Sequence, residues 1–306
     1  MSLLEIAILR TILYADVFNF PLTPAEIQHF LIHDRPTTFE QVEQTLQESL
    51  YLQQHLVMQA GYVACRAELI EQRPTREQAS QQLWPEAVHY ATWLGRLPFV
   101  RMVALTGALA MHNAAADDDD LDYLVVTAAN RVWLTRAFAI VLVRLAKSRG
   151  MIVCPNYVLA EDALVQDRQD LFIAHEITQM IPLVGHQLYG DFRAANGWTN
   201  LHMPNAHKPF HAESDFRASG LWAAGKLLLE WLLSGPIGDG LERWEYRRKL
   251  RRFATEMRAP NSAAQLDASH VKGHFNDYGH PVLRKYQQRL TEYGIDTAAL
   301  LPAFGD

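Results

Sequence analysis

The chain has 306 residues, 49% of them hydrophobic and 20% charged, with a formal net charge of −6. These proportions describe a globular protein with apolar material for two or three cores, and the acidic balance excludes a basic nucleic-acid coat over the whole molecule. Its two cysteines, Cys65 and Cys154, allow neither a disulfide framework nor a zinc-ligand pattern, so a reducing cytoplasm is the expected compartment.

The first residues are apolar but carry Glu5 and Arg10 and lack a basic start or a small-residue cleavage site. They read as a helix over 3–14 rather than a signal peptide. Thr23, with Glu26 three residues on, forms the capping-box pattern and starts a second helix. Thr37 or Thr38 starts a third, with Val42, Leu46 and Leu50 on one face. Residues 52–58 and 62–65 are β-prone, and Ala60-Gly61 supplies a turn between them. Three helices and a two-stranded wing over 1–65 resemble a winged helix-turn-helix.

DNA binding, the usual work of that fold, needs Lys and Arg for phosphate contacts. This segment has only Arg10 and Arg35 against seven acids, and residues 39–50, in the recognition-helix position, carry Glu40, Glu43 and Glu48 without a base. A packing or protein-contact module is therefore expected, and DNA binding is not.

Residues 66–98 read as a helical connector, amphipathic over 79–94. Arg66, Arg73 and Arg76 are expected on its solvated face, with contact to a bound phosphate as the alternative. Residues 99–190 alternate strand (99–105), short helix (108–113), strand (121–127), helix (131–149, closed by Gly150), strand (151–159) and helix (171–180). That pattern describes an α/β domain. The near-continuous apolar run after Asp122 implies a strand buried on both faces. Residues 191–306 read as mainly helical. The run 221–233 is apolar all round and is expected in a core. The stretch 242–258 is basic, and a final helix spans 282–293. The apolar runs 138–146 and 221–233 are shorter than the roughly 20 residues of a membrane span, so no membrane association is expected.

The chemistry concentrates in residues 103–127. A strand ends at Thr106-Gly107, and the glycine permits a tight turn and close approach of a ligand. The helix that follows would present free backbone N–H groups to an anion, most often a phosphate. Asp120 and Asp122 then lie two apart on a strand, so they project to one side. Adjacent carboxylates resist joint ionisation, and a divalent cation relieves that cost. Magnesium favours carboxylate oxygens combined with substrate phosphate oxygens. Asp117, Asp118 and Asp119 read as solvated loop. Asp122, flanked by apolar residues, requires a partner or a function.

Gly107-Ala108, a spacer, and Asp120-Leu121-Asp122 within an apolar strand resemble the pattern of the polymerase-beta-like nucleotidyltransferase superfamily: strand, Gly-Ser, short helix, then Asp-x-Asp on the next strand. The whole chain also resembles a family of bacterial nucleotidyltransferase-domain proteins with an N-terminal winged-helix segment, a resemblance that carries no substrate. The implied fold is an α/β (α+β) nucleotidyltransferase domain with a small mixed sheet (99–190), between the winged-helix unit with its connector and a helical C-terminal region (191–306). The resemblance implies transfer of a nucleoside monophosphate from a nucleoside triphosphate. Asp120 and Asp122 would hold magnesium or manganese, and Thr106, Gly107 and Ala108 would contact the nucleotide. Arg136, one turn into the following helix, is a further phosphate candidate.

Ala108 departs from the pattern, since the superfamily's serine hydroxyl helps bind the triphosphate; Thr106 could lend a hydroxyl instead. A third carboxylate, often a base or metal ligand in the superfamily, has no acid to match it within 151–159. Asn156, Glu161, Asp162 and Glu176 are the candidates there. His112 and Asn113 lie near the expected pocket. His202, His207 and His211 fit no zinc spacing. The expected acceptor is a small molecule or a protein. The alternative function is a weak or inactive nucleotide-sensing regulator with a winged-helix interaction module.

Overall fold

Three capping boxes organise the N-terminal unit of the computed structural model, which describes residues 1–116, 119–211, 213–257, 265–272 and 277–295. Ser2 with Glu5, Thr23 with Glu26 and Thr38 with Gln41 start α1 (Leu3–Asp16), α2 (Pro24–His29) and α3 (Phe39–Glu48). Residues 52–55, read from sequence as the start of a strand, instead belong to α4 (Leu50–His55), where the Ser49 hydroxyl accepts a hydrogen bond from the Leu52 N–H at 3.1 Å. β1 (Val57–Gln59) and β2 (Tyr62–Ala64) form the expected hairpin. Ala60 and Gly61, at φ +54° and +83°, supply the two left-handed residues of its turn.

The core of this unit, with Ile8, Leu9, Ile12, Ile27, Leu31 and Val42, does not stop at residue 65. Leu171, Ala174, Met203, Tyr286 and Leu290 from later in the chain complete it. The connector is a single helix, α5 (Ala67–Arg96), with Pro74 and Pro85 inside it. Arg73 is not on its solvated face. Arg73 is buried and pairs with Glu26 at 2.8 Å and Glu77 at 2.7 Å, while Arg66 pairs with Asp16 at 3.0 Å.

The α/β region follows as β3 (Val100–Leu105), α6 (Gly107–Ala110), β4 (Leu121–Thr127), α7 (Val132–Lys147), β5 (Val153–Ala160), α8 (Leu171–Gln179), β6 (Ile181–Val184) and α9 (His186–Ala195). After α10 (Gly220–Leu233) and α11 (Pro236–Met257) come β7 (Gln265–Leu266), β8 (His270–Lys272) and α12 (Gly279–Glu292). The sheet is mixed, in the order β6-β3-β4-β5-β8-β7. β4 and β5 are parallel across the α7 crossover, and the other pairs are antiparallel. Alternation along β3 and β4 sends Val103, Leu105, Tyr123 and Val125 to one apolar layer, and Met102, Ala104, Leu124 and Val126 to the other. Burial on both faces is what the continuous apolar run in β4 encodes.

Four further elements depart from the sequence expectation. β6 contains Pro182, which an edge strand tolerates because its outer N–H need not pair. β7 and β8 extend the sheet from within the supposedly helical C-terminal region; they are too short to show alternation. α10, expected in a core, has no buried residue at all. Asp117, Asp118 and Arg258 lie outside the described residues.

Candidate active site

β3 and β4 run antiparallel, so the end of β3 lies beside the start of β4, and Leu105 pairs with Tyr123. The Thr106 N–H donates to the Asp122 carbonyl at 2.9 Å and locks the turn against the strand. Gly107 then adopts φ +70°, and a Cβ there would lie 2.5 Å from Asp122 Oδ2. Only glycine satisfies both the left-handed backbone and the close approach of the carboxylate. α6 is a single turn, too short for a substantial helix dipole, so anion binding at this corner falls to individual backbone N–H groups.

Asp120 and Asp122 face the same cavity, about 500 Å³, together with Thr106, Gly107 and Asn156. Asp120 is exposed at its mouth and Asp122 lies deeper. The parallel register sets Asp122 opposite Cys154, with a shift in pairing before Leu124. The Asn156 side-chain amide consequently donates to Asp122 Oδ1, and the Cys154 thiol approaches Asp120 Oδ2 at 3.9 Å. Burial, followed by the charges of Asp120 and Glu176, pushes the Asp122 carboxyl up to about 7, with the Asn156 hydrogen bond opposing them. Burial, Asp120 and Asp122 likewise push the Cys154 thiol up to about 12.

The four candidates for the third acid now separate. Glu161 turns away to the Ala129 N–H and Arg101, and Asp162 is exposed beyond β5 without lining the cavity. Asn156 is an amide and serves Asp122. Glu176, on α8, lines the cavity, and burial raises its carboxyl while Lys272 opposes that shift. Among the described residues, no three His, Cys, Asp or Glu side chains are grouped to hold a metal ion by themselves. A cation on Asp120 and Asp122 would need water and ligand oxygens to complete its shell, which is magnesium's ordinary habit.

Two cations missed by sequence reasoning line the same cavity. Lys272 arrives on β8, and burial lowers its ammonium pKa while Glu176 raises it. Arg168, before α8, pairs with Asp170 and with Asp277 at 3.2 Å, leaving one buried guanidinium nitrogen without a partner among the described residues. A Cβ on Gly279 would stand 2.6 Å from that nitrogen, so the glycine makes room for it. Neither cation carries a local motif, because both positions depend on elements brought in from a distance.

Arg136 does not line the cavity. It faces α11, where it lies near Glu245 and Lys249, apart from the carboxylates it was expected to accompany. α7 lies in the layer opposite α8, which carries it away from the carboxylates. Asp119 closes its own loop, accepting from the Ala115 N–H at 2.9 Å. His112 stacks on His211 at 3.9 Å, and Asn113 binds Arg76 at 3.0 Å.

A second cavity, about 320 Å³, adjoins the first and shares Phe18, Gly107 and Glu176 with it. Ala108, Asp119 and Arg76 also line it, and Tyr14, Phe20 and Phe30 from the N-terminal unit supply an aromatic wall. Comparisons with family models, with curated proteins and with solved structures return no match to this chain.

Proposed function

We propose that the chain is a magnesium- or manganese-dependent nucleotidyltransferase that moves a nucleoside monophosphate from a nucleoside triphosphate to a small-molecule or protein acceptor. One observation carries this reading: the Asp122 carboxylate is packed against the Gly107 turn, beside Asp120, on a cavity whose wall also holds Lys272 and Arg168. A divalent cation, when bound, would neutralise charge on the triphosphate and the leaving pyrophosphate. Asp120 and Asp122 would hold it, and Asn156 fixes the orientation of Asp122. Gly107 and Ala108 would offer backbone N–H groups and Thr106 its hydroxyl, and Lys272 and Arg168 would bind the phosphate chain. The acceptor oxygen would attack the α-phosphorus as the bond to the pyrophosphate oxygen breaks. Glu176 lines both cavities and would take the acceptor proton. The smaller cavity is the acceptor's natural seat. The winged-helix-like unit then serves as a wall of the site and a protein-contact module.

Ala108, where a hydroxyl would help hold the triphosphate, favours a second reading: a nucleotide sensor without turnover. Labelled nucleoside triphosphates with magnesium separate the two. Pyrophosphate release by the wild type, lost in Asp120→Asn/Asp122→Asn, is expected of the enzyme. Glu176→Gln should retain nucleotide binding while losing about 10²-fold or more in turnover. Binding without release across a panel of acceptors supports the sensor, and absence of magnesium-dependent nucleotide binding removes both readings.

A further inference from the structure

α10 is an amphipathic helix turned inside out. Its half-buried stripe is Ala223, Lys226, Glu230 and Leu233, so both of its charges face the protein. Lys226 donates to the carbonyls of Gly95 at 2.8 Å and Val100 at 2.7 Å. Glu230 accepts from the Phe99 N–H at 2.6 Å and pairs with Arg101 at 2.8 Å. These polar anchors fix the helix with its apolar side outward. Leu221 is 90% exposed, Trp231 73% and Leu227 67%, with Trp222, Leu228 and Leu232 also exposed.

α11 continues the pattern. Ile237, Leu241 and Trp244 are exposed in its first turns, and Arg247, Arg248, Arg251 and Arg252 are exposed after them. Its described acids are occupied. Asp239 pairs with Arg131 at 2.7 Å, Glu242 accepts from the Trp133 and Leu134 N–H groups, and Glu245 holds Arg248 and Lys249. Arg243, Arg247, Arg251 and Arg252 have no ion-pair partner among the described residues. A chain with net charge −6 thus keeps four arginines without ion-pair partners among the described residues on the helix that follows the exposed leucines and tryptophans of α10.

We propose that the outward face of α10 and α11 docks on an anionic phospholipid bilayer. Large apolar side chains exposed together along one helix mark an interaction site, whereas scattered exposed leucines do not. Leucine and tryptophan beside arginine is the composition of a helix lying in the headgroup region, where tryptophan rings sit at the interface and arginines meet lipid phosphates. No helix among the described residues is long and apolar enough to cross a membrane, so the contact is peripheral. The sequence expectation of no membrane association rested on apolar runs too short to span, which the described helices bear out; a peripheral contact goes beyond it. A second copy of the chain fits this face less well. Its described carboxylates are all engaged, so a two-fold partner presenting the same patch would bring arginines without acids to meet them.

The test uses the full chain with vesicles of phosphatidylcholine alone or mixed with phosphatidylglycerol, read by co-sedimentation. Binding to the anionic vesicles is expected, weakened by salt. Leu228→Glu/Trp231→Glu and, separately, Arg247→Glu/Arg251→Glu should each lower that affinity at least about tenfold. The arginine variant alters no packed residue and carries the test alone if the apolar variant fails to fold. Absence of vesicle binding, or binding indifferent to both variants, overturns the proposal. So does a concentration-dependent dimer that does not bind vesicles and that Leu228→Glu/Trp231→Glu dissociates, since the face would then join two copies. Nucleotide turnover enters none of these readouts, so the docking proposal and the transfer reading fail independently.

Discussion

Gly107 and Asp122 were both legible as residues, but their mutual dependence was not. The sequence pairs a glycine turn with an Asp-x-Asp strand; the structure adds that a methyl group at 107 would collide with the carboxylate at 122. Gly107→Ala should therefore damage the site more than the fold. The left-handed backbone costs about 1–2 kcal/mol for an L-residue, which shows as a modest drop in the unfolding midpoint. The displaced Asp122 carboxylate should weaken magnesium-dependent nucleotide binding by about tenfold or more, as a 1 Å misplacement of a catalytic group is costly. A Gly107→Ala protein that binds nucleotide normally would show that the close approach is incidental. Glu176, by contrast, was visible only as one acid among four candidates. Nothing in the text of α8 distinguishes a carboxylate facing a cavity from one facing solvent. The distinction comes from how the helix is rotated against the sheet, with Ile173 and Ile177 turned into the core.

At the scale of elements, α7 shows why helix boundaries were readable while helix partners were not. Its start at residue 132 has no side-chain cap of its own, since Arg131 supplies none. Glu242 of α11 supplies the missing acceptor, taking the N–H groups of Trp133 at 2.9 Å and Leu134 at 2.7 Å while itself buried. A carboxylate at a helix N-terminus satisfies orphan donors and complements the dipole. Glu242→Ala should cost about 2 kcal/mol, an N-cap loss with two buried N–H groups left unpaired, and Glu242→Gln should recover part of it. Equal stability of wild type and Glu242→Ala in urea denaturation would reject this role. The long basic stretch of α11 thus contributes to the fold through its acids. The strands β7 and β8 were illegible for another reason: two- and three-residue strands have no period, and the pairing of β8 with β5 and of β7 with β8 defines them. α10 misled because apolar composition was taken to mean burial. Its two charges, which appeared to be interruptions of a core helix, are the groups that hold it to the domain.

For the whole molecule, the question is how the N-terminal unit is held against the α/β region, since its aromatic residues form one wall of the smaller cavity. The loop after α9 straps it down. Thr37 N–H donates to the Asn205 side chain at 3.0 Å, the Asn205 amide donates to the Gln28 carbonyl at 2.6 Å, and the His33 N–H reaches the His202 carbonyl at 3.1 Å. Two half-buried histidines lie in this seam. His29 packs edge-on against Phe210, and His211 stacks on His112. Burial, with Arg193 second, lowers His29 to about 4; burial, with His112 second, lowers His211 to about 4. Each has an Nε2 atom without a hydrogen-bond partner among the described residues, as suits a neutral ring. The sign of the linkage follows. With the usual 6.5 in the unfolded chain, that chain binds protons between pH 6.5 and 4 that the folded protein refuses. The stability these rings permit is complete above pH 6.5 and falls as the pH drops toward 4. Asp122 acts in the opposite direction throughout this range, because its raised carboxyl binds protons in the folded state. Comparison with a variant therefore isolates the histidines. The urea midpoint of the wild type should fall more steeply from pH 7 to 5 than that of His29→Gln/His211→Gln, even if the variant is less stable at pH 7. Parallel slopes would mean that neither ring is held neutral, and that acid loosens the seam, if at all, through other groups.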